Sequence, residues 1–487
     1  MQQSGKLKKI ILIGVDGADW RLIEPWIESG HLKNFNELIN SGTKATLMST
    51  IPPFTLPAWT SIFTGVNPGK HGITDNLIRI GKELVPAFSC YRKAPLLWRV
   101  LEHHGLKSIV LNDPITYPPE PINGVMVTGF LTPPNSDSYT FPPEIKDEVD
   151  KASGGYMPEL PLDYDKLIAK DRKKAYNYIK LFAQKTASLT LHMIKNHEWN
   201  IFNVTFTSTD RLQHFYWQDK HLLQEHYNWL DSIIGKLINI ASYEEANIVI
   251  VSDHGFAPIY KSVYINTILA EEGLIKIRKS KLYTLMNRIG LNSENLINFL
   301  QFLKLHNILS KLVPEHLKQI LPSKSSKTIS NQPIAKLQTA AGIFIERALC
   351  KNYEAIRNLI IKKLLSLTDN SKKVIASVYK REHILWGPFI YRAPDLIAIP
   401  NEGYYLSTDI KDKFLGRPIQ STRNILRTGD HRMQGIFIAY GPDISRDVKL
   451  KEPLFTWDIA PLILHMLSLP IPSYMDGHVR KEIFKKR

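Results

Sequence analysis

The stretch IILIGVDG, Ile10–Gly17, decides how the whole chain is read. It is an unbroken apolar run that stops abruptly at Asp16-Gly17. A half-buried strand alternates apolar and polar residues, whereas a strand covered on both faces does not. This run therefore predicts a central parallel strand with a carboxylate at its carboxyl end. Three later runs repeat the pattern: Ser108–Leu111 ends in Asn112-Asp113, Asn200–Phe206 leads into TSTDRLQH, and Asn247–Val251 ends in Ser252-Asp253-His254-Gly255. Helical spacing separates them, over Trp20–Ile27, Leu32–Ile39, Ala94–His103, Tyr164–Lys195 and Leu222–Ala241. Such alternation predicts an α/β fold, a doubly wound, mostly parallel sheet with helices on both faces.

Further along, Gly342–Glu346, Leu396–Ile399 and Ile436–Tyr440 read as strands, and Tyr353–Ser366 and Trp457–Leu467 as helices. Residues 337–487 are thus expected to complete the core begun in residues 1–269. Residues 270–336 differ in character. Lys276–Lys327 holds ten Lys/Arg against two Glu, a net of +8. Leu282, Leu285, Met286 and Ile289, then Leu296, Phe299, Leu300 and Leu303, recur at helical spacing and predict an inserted basic helical cap. The stretch PSKSSKTISNQP, Pro322–Pro333, reads as a flexible linker back to the core. The basic face of the cap is either solvated or a contact for an anionic membrane surface or acidic substrate.

With 44% hydrophobic and 22% charged residues, the 487-residue chain has the composition of an ordinary globular protein. Its balance of 62 Lys+Arg against 46 Asp+Glu, +16, favours anionic partners. The basic residues of the insertion are not interleaved with aromatics as a stacking platform requires, so no specific nucleic acid partner is expected. Cys90 and Cys350 are too few for a disulfide framework and lack zinc-ligand spacing. The basic start before Ile10 imitates a secretion signal, but the apolar run ends early at Asp16 without a small-residue cleavage site. No segment approaches the roughly 18 apolar residues of a membrane span. A cytoplasmic location is the expectation.

The chemistry centres on TIPPFTLPAWTSIFTGVNPGKHG, Thr50–Gly72. Pro57 suits the first turn of a helix running Pro57–Phe63, which places Thr55 at its mouth, where unpaired N–H groups attract anions. Thr55 is then an N-cap, or a hydroxyl poised beside an anion site. The other polar clusters decide between these: Asp16; Asp210 with His214; Asp253 with His254; and His431. Ligands of open α/β sheets bind beyond the carboxyl ends of strands, so Asp16, Asp210 and Asp253 converge there. Asp210 and His214, four apart, share a helix face. His431 must arrive from the loop leading into its strand. Three carboxylates and three imidazoles suit a pair of divalent ions, zinc first, manganese where oxygen ligands dominate. Each piece alone is commonplace; their joint occurrence around Thr55 points to metal-dependent phosphoryl chemistry.

On these motifs the chain resembles the alkaline phosphatase superfamily, in the branch of type I phosphodiesterases and nucleotide pyrophosphatases. The matching pieces are GVDG (Gly14–Gly17), T-x-P with NPGKHGI (Thr55–Ile73), TDRLQH (Thr209–His214), SDHGF (Ser252–Phe256) and GDHRMQGIFIAYGP (Gly429–Pro442). TYPP (Thr116–Pro119), GFLTP (Gly129–Pro133) and the late MDG (Met475–Gly477) extend the likeness to the superfamily's predicted phosphohydrolase or phosphomutase group. The resemblance implies two metal sites, Asp16, Thr55, Asp253 and His254 at one and Asp210, His214 and His431 at the other. It also implies Thr55 as the nucleophile of a covalent phosphothreonine route.

Two departures bound this likeness. Where nucleotide pyrophosphatases place a phosphate-holding Asn, three residues after the nucleophile, this chain has Ala58. Sulfatases use a Cys or Ser nucleophile followed by Pro and Arg; here Thr55 and Trp59 stand at those positions. Lys70, His71, Asn76 and Arg432 are candidates for substrate contact. The expected activity is hydrolysis of a phosphate monoester or diester, on a phosphorylated small molecule or lipid headgroup. The alternatives are a phosphomutase sharing the same intermediate and a non-catalytic protein that docks through its basic insertion.

Overall fold

A computed structural model describes residues 8–160, 164–276, 333–410, 419–421 and 427–486. Its centre is a nine-stranded sheet whose middle strand is Ile10–Val15. On one side of it stand Asn247–Val251, Gln434–Tyr440, Thr43–Met48 and Leu454–Phe455; on the other stand Ile201–Phe206, Ser108–Asp113, Gly124–Thr128 and Thr140–Phe141. Ile10–Val15 runs parallel to both neighbours. Antiparallel pairing is confined to Gln434–Tyr440, between two parallel-running strands, and to the edge strand Thr140–Phe141. The fold is thus a mixed α/β architecture around a large, mostly parallel sheet, as the runs of buried apolar residues require.

Alternate residues of the middle strand feed two separate apolar layers. Ile11, Ile13 and Val15 pack with Trp26, Phe35, Phe182 and Leu230 on one face. Ile10 and Leu12 pack with Trp59, Phe63, Trp98 and Leu462 on the other. Each fully buried side chain of this size contributes roughly 1.5–3 kcal/mol. Period-two burial into two helical layers is the physical content of "doubly wound".

Local chemistry sets the element boundaries. The expected helix over Tyr164–Lys195 is two helices, Tyr164–Lys170 and Arg172–Asn196, because the Asp171 carboxylate accepts the Lys174 N–H at 2.9 Å and restarts the chain as an N-cap. Asp219 caps Lys220–Glu244 in the same way, accepting from Leu222 at 3.0 Å. The helix expected from Pro57 begins two residues earlier, Thr55–Thr64, with Phe54 at the cap position and no side-chain cap bond. Pro57 is tolerated because the first-turn N–H groups have no intrahelical partner. Thr55 is therefore not the cap, and its hydroxyl is free for another role.

Residues 335–400 pair among themselves. Ala335–Leu337, Gly342–Ile345, Leu396–Pro400 and Ile375–Lys380 form a four-stranded antiparallel sheet, packed with Tyr353–Leu365 over a separate apolar cluster. Within residues 337–487, the strands that join the central sheet are Gln434–Tyr440 and Leu454–Phe455. A further strand, Gly255–Tyr264, pairs with Gly403–Ser407, Ile419–Ser421 and Gly429–Arg432. The expected helical cap over 270–336, its basic stretch 276–327 and its linker lie almost wholly outside the described residues. Among the described residues no helix is long and apolar enough to cross a membrane.

Candidate metal centre

The site is built at the carboxyl edge of the central sheet. Asp16 follows Ile10–Val15, Asp253 and His254 follow Asn247–Val251, and Asp210 and His214 lie on the helix Ser208–Tyr216 that follows Ile201–Phe206. His431 reaches the same edge because Gln434–Tyr440 is antiparallel to Asn247–Val251, so the chain enters that strand where its neighbour ends. It does so from a strand, not the expected loop: Gly429–Arg432 pairs with Gly255–Tyr264, His431 opposite Phe256. This ladder fixes the His431 backbone more firmly than a loop would.

Two groups of donor atoms result, Asp16, Asp253 and His254 in one and Asp210, His214 and His431 in the other, with the atoms of each group within 4.8 Å of one another. In the first, His254 Nε2 lies 3.0 Å from Asp253 Oδ2 and 3.7 Å from Asp16 Oδ1. Thr55 Oγ1 stands 3.4 Å from the same His254 Nε2. In the second, His431 Nε2 is 3.0 Å from both Asp210 Oδ1 and His214 Nε2. The groups adjoin, since the His254 and His431 rings stack with centroids 3.6 Å apart.

Each of these three imidazoles turns Nδ1 to a backbone carbonyl: His214 to Gly429 at 3.0 Å, His431 to Pro53 at 2.9 Å and His254 to Gly255 at 3.2 Å. A carbonyl only accepts, so Nδ1 carries the proton and Nε2 faces the carboxylates. That is how second-sphere contacts prepare a metal-ligating histidine. At His254, burial is outweighed by Asp253 and Asp210, which hold the imidazole above its ordinary value. Burial pulls His431 down to about 4 and lowers His214 as well, keeping both neutral at physiological pH. Burial, Asp253 and Asp210 together push Asp16 well above the usual carboxylate range. Asp16 Oδ1 and Asp253 Oδ2 are buried without a hydrogen-bond partner. Carboxylates so crowded and so poorly satisfied are costly unless a cation joins them. The donor set fits borderline divalent ions such as zinc, or manganese.

Several supporting residues escaped the sequence reading. Trp59, whose indole donates to Asp16 Oδ2 at 3.2 Å, is fully buried against Phe63. Its approach demands Gly14, where a Cβ would come within 2.5 Å of Trp59 Cη2 and 2.6 Å of Thr205 Oγ1. The Thr209 hydroxyl donates to the Asp16 carbonyl at 2.6 Å, and the Gly17 N–H to Asp253 Oδ1 at 3.2 Å. Arg211 joins Asp210 to Glu159, and Arg427 Nη2 lies 2.8 Å from His214 Nε2. An indole, a glycine or an arginine beside a motif carries no periodic signal.

Of the four substrate-contact candidates, Lys70, His71 and Arg432 have side chains bonded within the protein, and Asn76 lies at the surface. Lys70 pairs with Asp476 at 2.6 Å and donates to the Tyr474 carbonyl. His71 is buried, with Nε2 3.0 Å from Ser61 Oγ and Nδ1 accepting from the Ile73 N–H. Arg432 pairs with Asp19 at 2.8 Å. Asn76 is exposed, its carbonyl accepting from the Ala87 N–H across the Leu77–Ile80/Glu83–Pro86 hairpin.

Comparison with known proteins finds relatives at the level of family and fold. A family model described as type I phosphodiesterase / nucleotide pyrophosphatase matches residues 10–433. An ectonucleotide pyrophosphatase/phosphodiesterase of Caenorhabditis elegans is 24% identical over 270 residues, which is 55% of this chain and 31% of that protein. Among solved structures, human ectonucleotide pyrophosphatase/phosphodiesterase 5 superposes with a TM-score of 0.55 at 14% identity, covering 98% of this chain and 100% of that one. An inactive form of the murine protein in complex with AMP gives a TM-score of 0.54 at 14% identity, with the same coverage. By the span of the family match and the shared fold, the chain belongs to the type I phosphodiesterase / nucleotide pyrophosphatase family.

Proposed function

We propose that this protein is a metal-dependent phosphohydrolase that cleaves a phosphate ester through a phosphothreonine intermediate on Thr55. The observation that carries the reading is Thr55 Oγ1, at the first turn of a buried helix and 3.4 Å from His254 Nε2 of a carboxylate-rich donor group. Asp16, Thr55, Asp253 and His254 would hold one divalent ion and Asp210, His214 and His431 the second. Bound there, zinc or manganese supplies Lewis acidity that favours ionisation of the Thr55 hydroxyl and offsets charge on the phosphoryl group.

The chain's own residues do the rest. Burial of the helix Thr55–Thr64 fixes the hydroxyl, and the unpaired N–H groups of its first turn face the incoming anion. Thr55 Oγ1 attacks phosphorus, the bond to the leaving alcohol breaks on the opposite side and that alcohol takes up the proton lost by Thr55. Water then breaks the Thr55–phosphorus ester, restoring the hydroxyl and releasing a phosphate monoester from a diester substrate or inorganic phosphate from a monoester. Positioning and charge complementarity supply most of the acceleration in such a transfer. A diester of nucleotide type is the leading substrate class, supported by the family; a phosphorylated lipid headgroup is the second. A phosphomutase would share every step up to the intermediate and return the phosphoryl group to a substrate hydroxyl. Cys90 and Cys350 are both unpaired, which supports a cytoplasmic location, testable by fractionation.

The decisive experiment compares the wild type with Thr55→Ala, loaded with zinc or manganese, on an aryl phosphodiester and the matching monoester. The expected result is loss of turnover by about 10³-fold or more with the metal supplied at saturating concentration. Acid quench with labelled substrate should trap phosphate on Thr55 in the wild type. Turnover by Thr55→Ala at the wild-type rate would falsify the reading. Isomerised product without free phosphate would select the mutase.

A further inference from the structure

We propose that Arg211 is a substrate-contacting residue whose guanidinium holds a non-bridging oxygen of the phosphoryl group, and that Glu159 is the residue that positions it. The inference rests on the phosphoryl-transfer reading above and adds the cation that recognises the group transferred. Arg211 follows Asp210 on the helix Ser208–Tyr216. Asp210 turns Oδ1 to His431 and His214, whereas its Oδ2 accepts from Arg211 Nη1 at 3.0 Å. The guanidinium thus contacts one donor group, whose His431 ring stacks on His254 of the other, beside the space where a phosphoryl group bound to both would lie.

The side chain is held rigidly there. Arg211 Nη2 donates to Glu159 Oε2 at 2.9 Å, and its guanidinium carbon lies 4.6 Å from the centre of the Phe130 ring. Phe130 packs on the apolar cluster that includes Leu56, the residue next to Thr55. Through Phe130, Arg211 thus adjoins the apolar cluster that carries the residue after Thr55. Its side chain retains 17% exposure. After the bonds to Asp210 and Glu159, each terminal nitrogen still carries a second N–H, and the spacing of a guanidinium fork matches two phosphoryl oxygens. A purely structural Asp–Arg–Glu chain is the competing account. Ion pairs removed from water gain little net stability, which leaves the cost of burying this one unexplained without a ligand.

The test measures binding of inorganic phosphate by calorimetry to metal-loaded Thr55→Ala, in which no turnover occurs, with and without Arg211→Met. Metal content is assayed in parallel. One charge-assisted contact corresponds to a loss of about 10- to 100-fold in phosphate affinity, with metal content unchanged. Arg211→Lys, which keeps the charge and loses the fork, should lie between. Phosphate affinity within about twofold of the parent would overturn the contact. So would loss of metal in both Arg211 variants, because Arg211 would then serve only to hold Asp210. Failure of the nucleophile reading shows separately, as turnover by Thr55→Ala with Arg211 intact.

Discussion

At the scale of single residues, the donor atoms depend on neighbours that bind nothing themselves. Trp59 is the clearest case: its N–H is a partner of Asp16 Oδ2, and its ring fills the layer between Gly14 and Phe63. Trp59→Phe keeps an aromatic ring in that layer and removes the donor. We expect metal affinity to fall by about 10- to 100-fold, read by titration of the apoprotein with zinc, while far-UV circular dichroism stays unchanged. Asp16, Asp253-His254 and Asp210-x-x-x-His214 are legible in the sequence because each sits at the end of an apolar run or at helical spacing. Trp59 is not legible in that way. Its role depends on a contact across 43 positions, and an indole within an apolar helix reads as core and nothing more.

At the scale of elements, the middle strand tolerates no side chain where the helix Thr55–Thr64 crosses it. Gly14→Ala would drive a methyl group into Trp59 and Thr205, and the expected cost is about 1–3 kcal/mol, measured as a lower urea midpoint. The strand Ser108–Asp113 carries a different device. Burial raises the Asp113 carboxyl to about 8 even though Thr205 and Asn203 donate to it. In the unfolded chain the same group titrates near 4. Because the folded value is the higher one, the folded state binds the extra proton. Its stabilising effect is complete below about pH 4 and is lost as pH rises through about 8. Asp113→Asn keeps a neutral side chain at every pH. The melting temperature of the variant minus that of the wild type should therefore climb between pH 5 and 8.5, and a flat difference would remove Asp113 from this account. Element type was legible wherever a run was long and wholly apolar, as in Asn247–Val251. It was not legible in Thr43–Met48, whose polar residues alternate at low amplitude, nor in Gly255–Tyr264, where Pro258 argues against a strand.

At the scale of the whole molecule, the donors of the two groups come from segments around positions 16, 210, 254 and 431, so cations bound there tie together most of the length of the chain. Metal that binds the folded form alone should stabilise it by about 2.7 kcal/mol at a free concentration 100 times Kd, measured as a rise in unfolding midpoint that a chelator reverses. An unchanged midpoint would mean that these donors bind no ion in the fold. The sequence by itself determined the α/β class, the central strand and the six acidic and imidazole residues, because burial on both faces and carboxylates at strand ends leave a one-dimensional trace. Only the tertiary structure decided that Thr55 is the first residue of its helix and not its cap, and that His431 arrives on a strand. It alone revealed that residues 335–400 pair apart from the central sheet, and that Arg211, Trp59 and Gly14 surround the donors. Those facts depend on which segments meet in space. Pairing partners, strand direction and the clearance between a helix and a strand are set by long-range packing, which no local pattern of residues encodes.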